Sequence, residues 1–310
     1  MAFIAVVVSG GAPLGPRVGL IELSGPISDE GARGILGGGS QGGARQFIED
    51  VEVARKDPTI TAVVVRINSP GGSAAASQEM YAALRRLRLD KPVVCSMGDF
   101  AASGGYYVAA ACDKIYANPS TLTGSIGVIS GFMNFRELFD KLGIESDTIK
   151  SGKFKDAGNP ARPLTPEERQ LFKSMIMNVY SQFVGDVVAG RKGPTRGKLT
   201  TVAVRKLADG RVYTGQQAKA NGLVDEIGGL HDAVQAAAKM GDIAGVPKVK
   251  EIGSSGLLSG LLGASDNSAA ARSVAEISGA VGAAAGKAFA ASVLQSLQAE
   301  SQQQSRPQAR

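Results

Sequence analysis

Tryptophan is absent from the 310 residues, histidine occurs once and cysteine twice. Each scarcity excludes something. Cys95 and Cys112 cannot make a disulfide framework or a zinc site, and both stand in apolar runs that suit buried free thiols. A Ser-His-Asp hydrolase would have to use the lone histidine, His231. It stands at the start of a late helix, in Gly228-Gly229-Leu230-His231-Asp232, where it reads as a surface or capping residue. Basic residues cluster at Arg191, Lys192, Arg196 and Lys198, among Gly, Pro and Thr, with no aromatic ring to stack on a base. Despite a net charge of +6, nucleic acid is therefore not an expected partner. The cluster reads as a solvated basic surface, of the kind that can face anionic lipid. Long hydrophobic runs are missing too. Residues 3–8 (FIAVVV) are too short to span a bilayer and follow no basic residue, so they fail as a signal peptide or anchor and suit at most the remnant of one.

What is present is an alternation. Residues 17–23 (RVGLIEL) read as a strand and 44–56 as a helix stopped before Pro58. The β-branched run 61–67 (TAVVVRI) reads as a buried parallel strand. The turn Asn68-Ser69-Pro70-Gly71-Gly72 leads into a helix over 73–89. Residues 93–95 predict another buried strand, broken at 96–99, after which Ala101-Ala102-Ser103-Gly104-Gly105 opens a helix. Strands over 114–117 and 146–149 and a helix over 134–142 follow, then a polar loop over 150–162. Thr165-Pro166-Glu167-Glu168 is a capping box that starts a long helix with Phe172, Met175, Ile176, Val179, Phe183 and Val187 on one stripe. Short helices are expected over 202–207, 216–220 and 232–239. The whole predicts an α/β domain with a mainly parallel sheet. Residues 29–43 read as a Gly-rich loop, and beyond Gly253 the composition turns to Gly, Ala and Ser. The chain thus divides into an N-terminal segment (1–16), a domain (17–250) and a partly helical or disordered tail (251–310).

Two glycine turns, Pro70-Gly71-Gly72 and Ser103-Gly104-Gly105, each follow a predicted buried strand and each open a helix. In a parallel sheet both emerge at the carboxyl edge, where ligands bind. Their N–H groups could converge on one oxygen, the donor pair that acyl transfer needs. Ser103 falls at the positive end of a helix dipole. A serine so placed is most often an N-cap, and SPGG alone could be a structural turn. A nucleophile also needs a base. With His231 set aside, a lysine remains, and it must lose a proton that it ordinarily holds to about pH 10, which takes desolvation. The polar loop offers Lys150, Lys153 and Lys155, and spacing does not choose among them.

The motifs NSPGG, MGDFAASGGYYVA, TGSIGV, SGKFKDAG and ADGRVYTGQQAKANGLVDEIGG, in that order over about residues 17 to 240, resemble the signal peptide peptidase A family of bacterial serine proteases. The resemblance implies a fold shared with Clp protease and the crotonases; the helical C-terminal extension is read instead from the spacing of Val274, Ile277, Val281, Phe289, Val293 and Leu297. The resemblance also implies a Ser/Lys dyad in which Ser103 is the nucleophile and Lys155 the general base, with Ser125 holding the lysine. Gly72 and Gly104 would supply the oxyanion N–H groups, and neither cofactor nor metal is required. The implied substrates are peptides, chiefly cleaved signal peptides. The implied assembly is a homo-oligomer, for this short form an octameric ring, in which serine and lysine come from neighbouring protomers. The implied location is the bacterial cytoplasmic membrane, with the active site on its outer side, although the family's anchor is not evident here. The rival reading is a crotonase-like acyl-CoA enzyme or binding protein that uses the same oxyanion pair without a nucleophile.

Overall fold

The strand β2 (Ile60–Ser69) is apolar nearly throughout because both of its faces are covered. Ala62 and Val64 join Val18 and Leu20 of β1 (Arg17–Ser24) and Val94 of β3 (Val93–Ala102) beneath the helix α8 (Leu230–Met240), which lays Ala233, Val234, Ala237 and Ala238 on them. The alternate residues Val63, Val65 and Ile67 face the larger core. That core is closed by α1 (Ala44–Lys56), α2 (Ala74–Leu87), α3 (Gly104–Ala109) and the end of α5 (Pro166–Arg191). Each fully buried aliphatic side chain here stabilises the fold by about 1.5–3 kcal/mol.

These observations come from a computed structural model, in which residues 15–30 and 43–253 are described. The remaining elements are β4 (Lys114–Ala117), β5 (Leu122–Gly124), α4 (Arg136–Leu142), α6 (Thr201–Leu207), β6 (Val212–Thr214), α7 (Gly215–Ala220), β7 (Glu226–Ile227) and β8 (Val249–Ile252). The strand order is β6-β5-β3-β2-β1-β8, with β4 pairing β3 and β7, and only the β5–β6 pair is antiparallel. The expected α/β architecture with a mainly parallel sheet is thus what forms. Nearly all of the segment 1–16, most of the loop 29–43 and nearly all of the tail 251–310 lie outside the described residues. Among the described residues no helix is long and apolar enough to cross a membrane.

Several local expectations are corrected. β3 does not stop at Cys95 but runs to Ala102, and the next helix starts at Gly104. Pairing overrides the local break: Ser96 and Met97 pair with Arg66 and Ile67, and Phe100–Ala102 then pair with Leu122–Gly124. The Ser96 hydroxyl also accepts a 2.9 Å bond from Arg66 Nη1. Residues 146–149 form no strand; they are exposed and no other strand lies alongside them. The stripe on α5 is buried only at its end, at Phe183 and Val187, whereas Met175 is 56% exposed because nothing among the described residues covers it. Arg191 leaves the basic surface altogether: it is fully buried and pairs with Asp225 at 2.5 Å. β5, β6, β7 and β8 are not among the expected strands, and β8 continues to Ile252, past residue 250.

Candidate active site

β2 and β3 end side by side, and the two glycine turns that leave them touch. A side chain on Gly71 (φ +98°) would put its Cβ 2.6 Å from the Gly104 nitrogen and 2.8 Å from Ser103 Cβ. One on Gly104 would run into Ser77 Oγ and come within 3.3 Å of the Gly72 nitrogen. Only glycine allows this approach. The Gly71 N–H is taken by Ser69 Oγ at 3.1 Å. Among the described residues the Gly72 and Gly104 N–H groups have no acceptor. For Gly104 the reason is its place as the first residue of a helix. Two backbone donors therefore sit close together beside Ser103.

Ser103 occupies the N-cap of α3 with φ 51° and ψ −119°, and its hydroxyl makes no capping bond. Its own N–H donates to Gly124 O at 2.8 Å, which continues the Ala102–Gly124 pairing by one step. Ser103 and Ser125 thus lie at adjacent strand ends. Ser125 also has a positive φ (50°), with its N–H held by Arg211 O at 2.9 Å. A non-glycine residue in such a conformation costs about 1–3 kcal/mol and persists only where the surroundings impose it.

Ser103, Gly72 and Gly104 border a cavity of about 190 Å³ whose other walls are mostly apolar, among them Val128, Ile129, Val179 and Phe183. Tyr107 also lines it, stacked on Phe183 with ring centroids 4.4 Å apart. The Tyr107 hydroxyl donates to the Asp186 carboxylate. Burial, and then that bond, push the Tyr107 hydroxyl far above its ordinary range, so it stays protonated and cannot serve as the base. His231 is exposed on α8, against the opposite face of the sheet from α3. Cys95 and Cys112 are buried free thiols, and burial holds the Cys95 thiol protonated.

Lys155 is not part of this cavity. It is exposed in a turn where its N–H donates to Gly152 O at 3.1 Å. The surrounding loop is held by charge: Asp156 takes Lys150 at 2.6 Å, and Arg162 bridges Asp156 and Glu168. Glu168 belongs to the predicted capping box, which forms as expected with Thr165. Lys150 and Lys153 each have a carboxylate within ion-pair distance, whereas Lys155 has none among the described residues. One chain therefore brings together Ser103, Gly72, Gly104 and Ser125, and displays Lys155 elsewhere. The sequence did not single out Ser77 or the Tyr107–Asp186 pair. Their signals, a serine four residues after Ser73 and a second tyrosine in YYVA, are too common to stand out.

The family model for peptidase family S49 matches residues 85–244. The chain is 37% identical, over 71% of its length, to a protein assigned as a signal peptide peptidase, SppA, of Enterococcus faecium. It is 36% identical, over 77% of its length, to the chloroplastic serine protease SPPA of Arabidopsis thaliana, and 38% identical, over 74%, to Protease 4 of Salmonella typhi. It spans 62% of the first of these proteins, 32% of the second and 35% of the third. With just over half of its residues inside the matched region, including both strained serines and the loop of Lys155, the chain belongs to peptidase family S49.

Proposed function

We propose that the chain is a serine peptidase that cuts extended apolar peptides, cleaved signal peptides among them, with Ser103 as nucleophile and Lys155 of a neighbouring copy as general base. One observation carries the reading. Ser103 is held in a costly backbone conformation with its hydroxyl uncapped, beside two unpartnered N–H donors and at the mouth of an apolar cavity. In the reaction Ser103 Oγ attacks the scissile carbonyl as its proton passes to the lysine. The Gly72 and Gly104 N–H groups hold the oxyanion, and the lysine returns the proton to the leaving amine. Water then hydrolyses the acyl-enzyme by the reverse sequence. Ser125, next to Ser103, orients the incoming lysine. The apolar cavity receives the substrate side chain nearest the cut. A crotonase-like reading uses the same donors but leaves the strain at Ser103 without a purpose.

Assembly follows from the surface that carries the lysine. Between residues 129 and 149, Ile129, Met133, Leu138, Leu142 and Ile149 are half to almost fully exposed, and α4 buries no residue. A seven-residue helix does not persist alone in water, and large apolar side chains left exposed along one segment mark an interface. A second copy covers it in a closed ring of about eight, which brings Lys155 to the next Ser103 and supplies the desolvation a neutral lysine requires. We place the ring at the bacterial cytoplasmic membrane, facing outward. The test is complementation. Ser103→Ala and Lys155→Ala proteins, each inactive, are mixed under subunit exchange, and peptide hydrolysis is expected to return. Full activity in a verified monomer would refute the shared dyad.

A further inference from the structure

A cavity of about 610 Å³ lies outside the Ser103 site. It is bounded by residues 194–199, which follow α5, by the end of α6, by the end of α7 and by the turn 221–225. Four cationic side chains line it: Arg196, Lys198, Lys206 and Lys219. Lys219 is already engaged, by the Asp225 carbonyl and by Glu226 at 2.8 Å. Among the described residues Arg196, Lys198 and Lys206 have no acidic partner. The acidic side chain in the lining, Asp225, is neutralised from behind, by buried Arg191 at 2.5 Å and by the Ile115 N–H at 2.8 Å.

The cavity is thus a concave surface with three uncompensated positive charges. Helix-end electrostatics do not account for it. Lys206 and Lys219 stand in the last turns of α6 and α7, where a cation offsets the helix carbonyls, but each helix end carries only about half a charge. Arg196 and Lys198 lie beyond the last turn of α5, on a turn fixed by the Gly197 N–H to Lys192 O bond (2.7 Å) and the Lys198 N–H to Thr195 O bond (3.1 Å). Arg196 is held there with φ 51°, which a non-glycine residue adopts at a cost. The lining contains no aromatic ring, so a base has nothing to stack on. Planar guanidinium and compact ammonium groups at the edge of a hollow are what a phosphate group calls for.

We propose that this cavity binds a phosphate-bearing anion, supplied either as the headgroup of an acidic phospholipid or as a free phosphate compound. The proposal does not depend on the peptidase reading, and its test uses no activity. The full-length protein is titrated with pyrophosphate by calorimetry, and separately sedimented with phosphatidylglycerol vesicles or with phosphatidylcholine vesicles. It is compared with an Arg196→Asn/Lys198→Gln/Lys206→Gln variant, in which asparagine suits the positive φ. A second variant, Lys56→Gln/Lys173→Gln/Lys239→Gln, removes the same charge from exposed positions elsewhere. Binding to pyrophosphate, or to phosphatidylglycerol but not phosphatidylcholine vesicles, is expected to weaken at least tenfold in the first variant and to stay within about twofold in the second. Pyrophosphate binding identifies a free anion as the ligand, and vesicle binding alone identifies the headgroup. Equal binding by wild type and first variant to both probes, or equal loss in the two variants, overturns the proposal.

Discussion

Ser73 and Ser103 stand at the same place in two helices and are used in opposite ways. Each is the N-cap of a helix that follows a buried parallel strand, Ser73 after the Gly71-Gly72 turn and Ser103 directly after Ala102. Ser73 has φ −56°, and its hydroxyl accepts the Ala76 N–H at 3.4 Å. Ser103 has φ 51°, and its hydroxyl caps nothing. Thr165, Thr200 and Thr214 all cap their helices, so withholding the hydroxyl is not the habit of this chain. A side-chain cap contributes about 1 kcal/mol, and the strain at Ser103 adds its own cost, so the two serines differ by roughly 2–4 kcal/mol. Against a total stability of about 5–15 kcal/mol that is a large sum to leave unclaimed. The difference shows where the fold gives up stability, and the proposed role of Ser103 gives that loss a purpose.

The comparison is broken most directly at Ser103. Ser103→Ala is expected to lower peptide hydrolysis by about 10³-fold or more, as removal of a nucleophile does. Ser103→Gly is expected to be equally inactive yet more stable, by about 1 kcal/mol, because glycine adopts φ 51° freely. A thermal melt checks it, and a less stable glycine variant would show that the strain is not there. Next come the donors. Gly71→Ala or Gly104→Ala is expected to lower kcat by about 10²–10³-fold, because the added Cβ displaces the turn that carries the proposed oxyanion donors.

A smaller effect concerns the loop of Lys155. Its bond to Arg162 holds the Glu168 carboxyl down from an ordinary 4.5 to about 2, and Lys150 lowers Asp156 in the same direction. Depressed carboxyls contribute stability that is complete above their ordinary range and is lost as pH falls through the folded value. Assembly, followed by light scattering, should therefore weaken as pH drops from about 4.5 toward 2, and Glu168→Gln should flatten that limb. The smallest effect is at the other serine. Ser73→Ala is expected to cost about 1 kcal/mol of stability and to leave hydrolysis nearly unchanged. An activity loss there comparable to that of Ser103→Ala would erase the contrast.

The sequence made the sheet legible wherever both faces of a strand are buried, as in 61–67, because periodicity reports burial directly. It failed at residues 96–102, where a serine, a glycine and an aspartate look like a break. β2, β4 and β5 nonetheless hold those residues in register. It failed at 146–149 for the opposite reason: the residues look like a strand but no described strand lies beside them to pair with. At the site, the two glycine turns and Ser103 could be found from local pattern, since strand, turn and helix are local. Which lysine to propose as the base could not be. Lys150, Lys153 and Lys155 have equivalent spacing, and what distinguishes them, ion pairing of the first two, is tertiary. The basic cluster lies on the surface at Lys192, Arg196 and Lys198, and only its fourth member, Arg191, is drawn into the core by Asp225.

The central claim is that the uncapped hydroxyl of Ser103 is the activated group. Its most direct test is labelling of the full-length protein with a fluorophosphonate, followed by peptide mapping. The account predicts a covalent adduct on Ser103 in wild type, none in Ser103→Ala, and unchanged labelling in Ser73→Ala. An adduct on another residue, or peptidase activity that persists in Ser103→Ala, would contradict it.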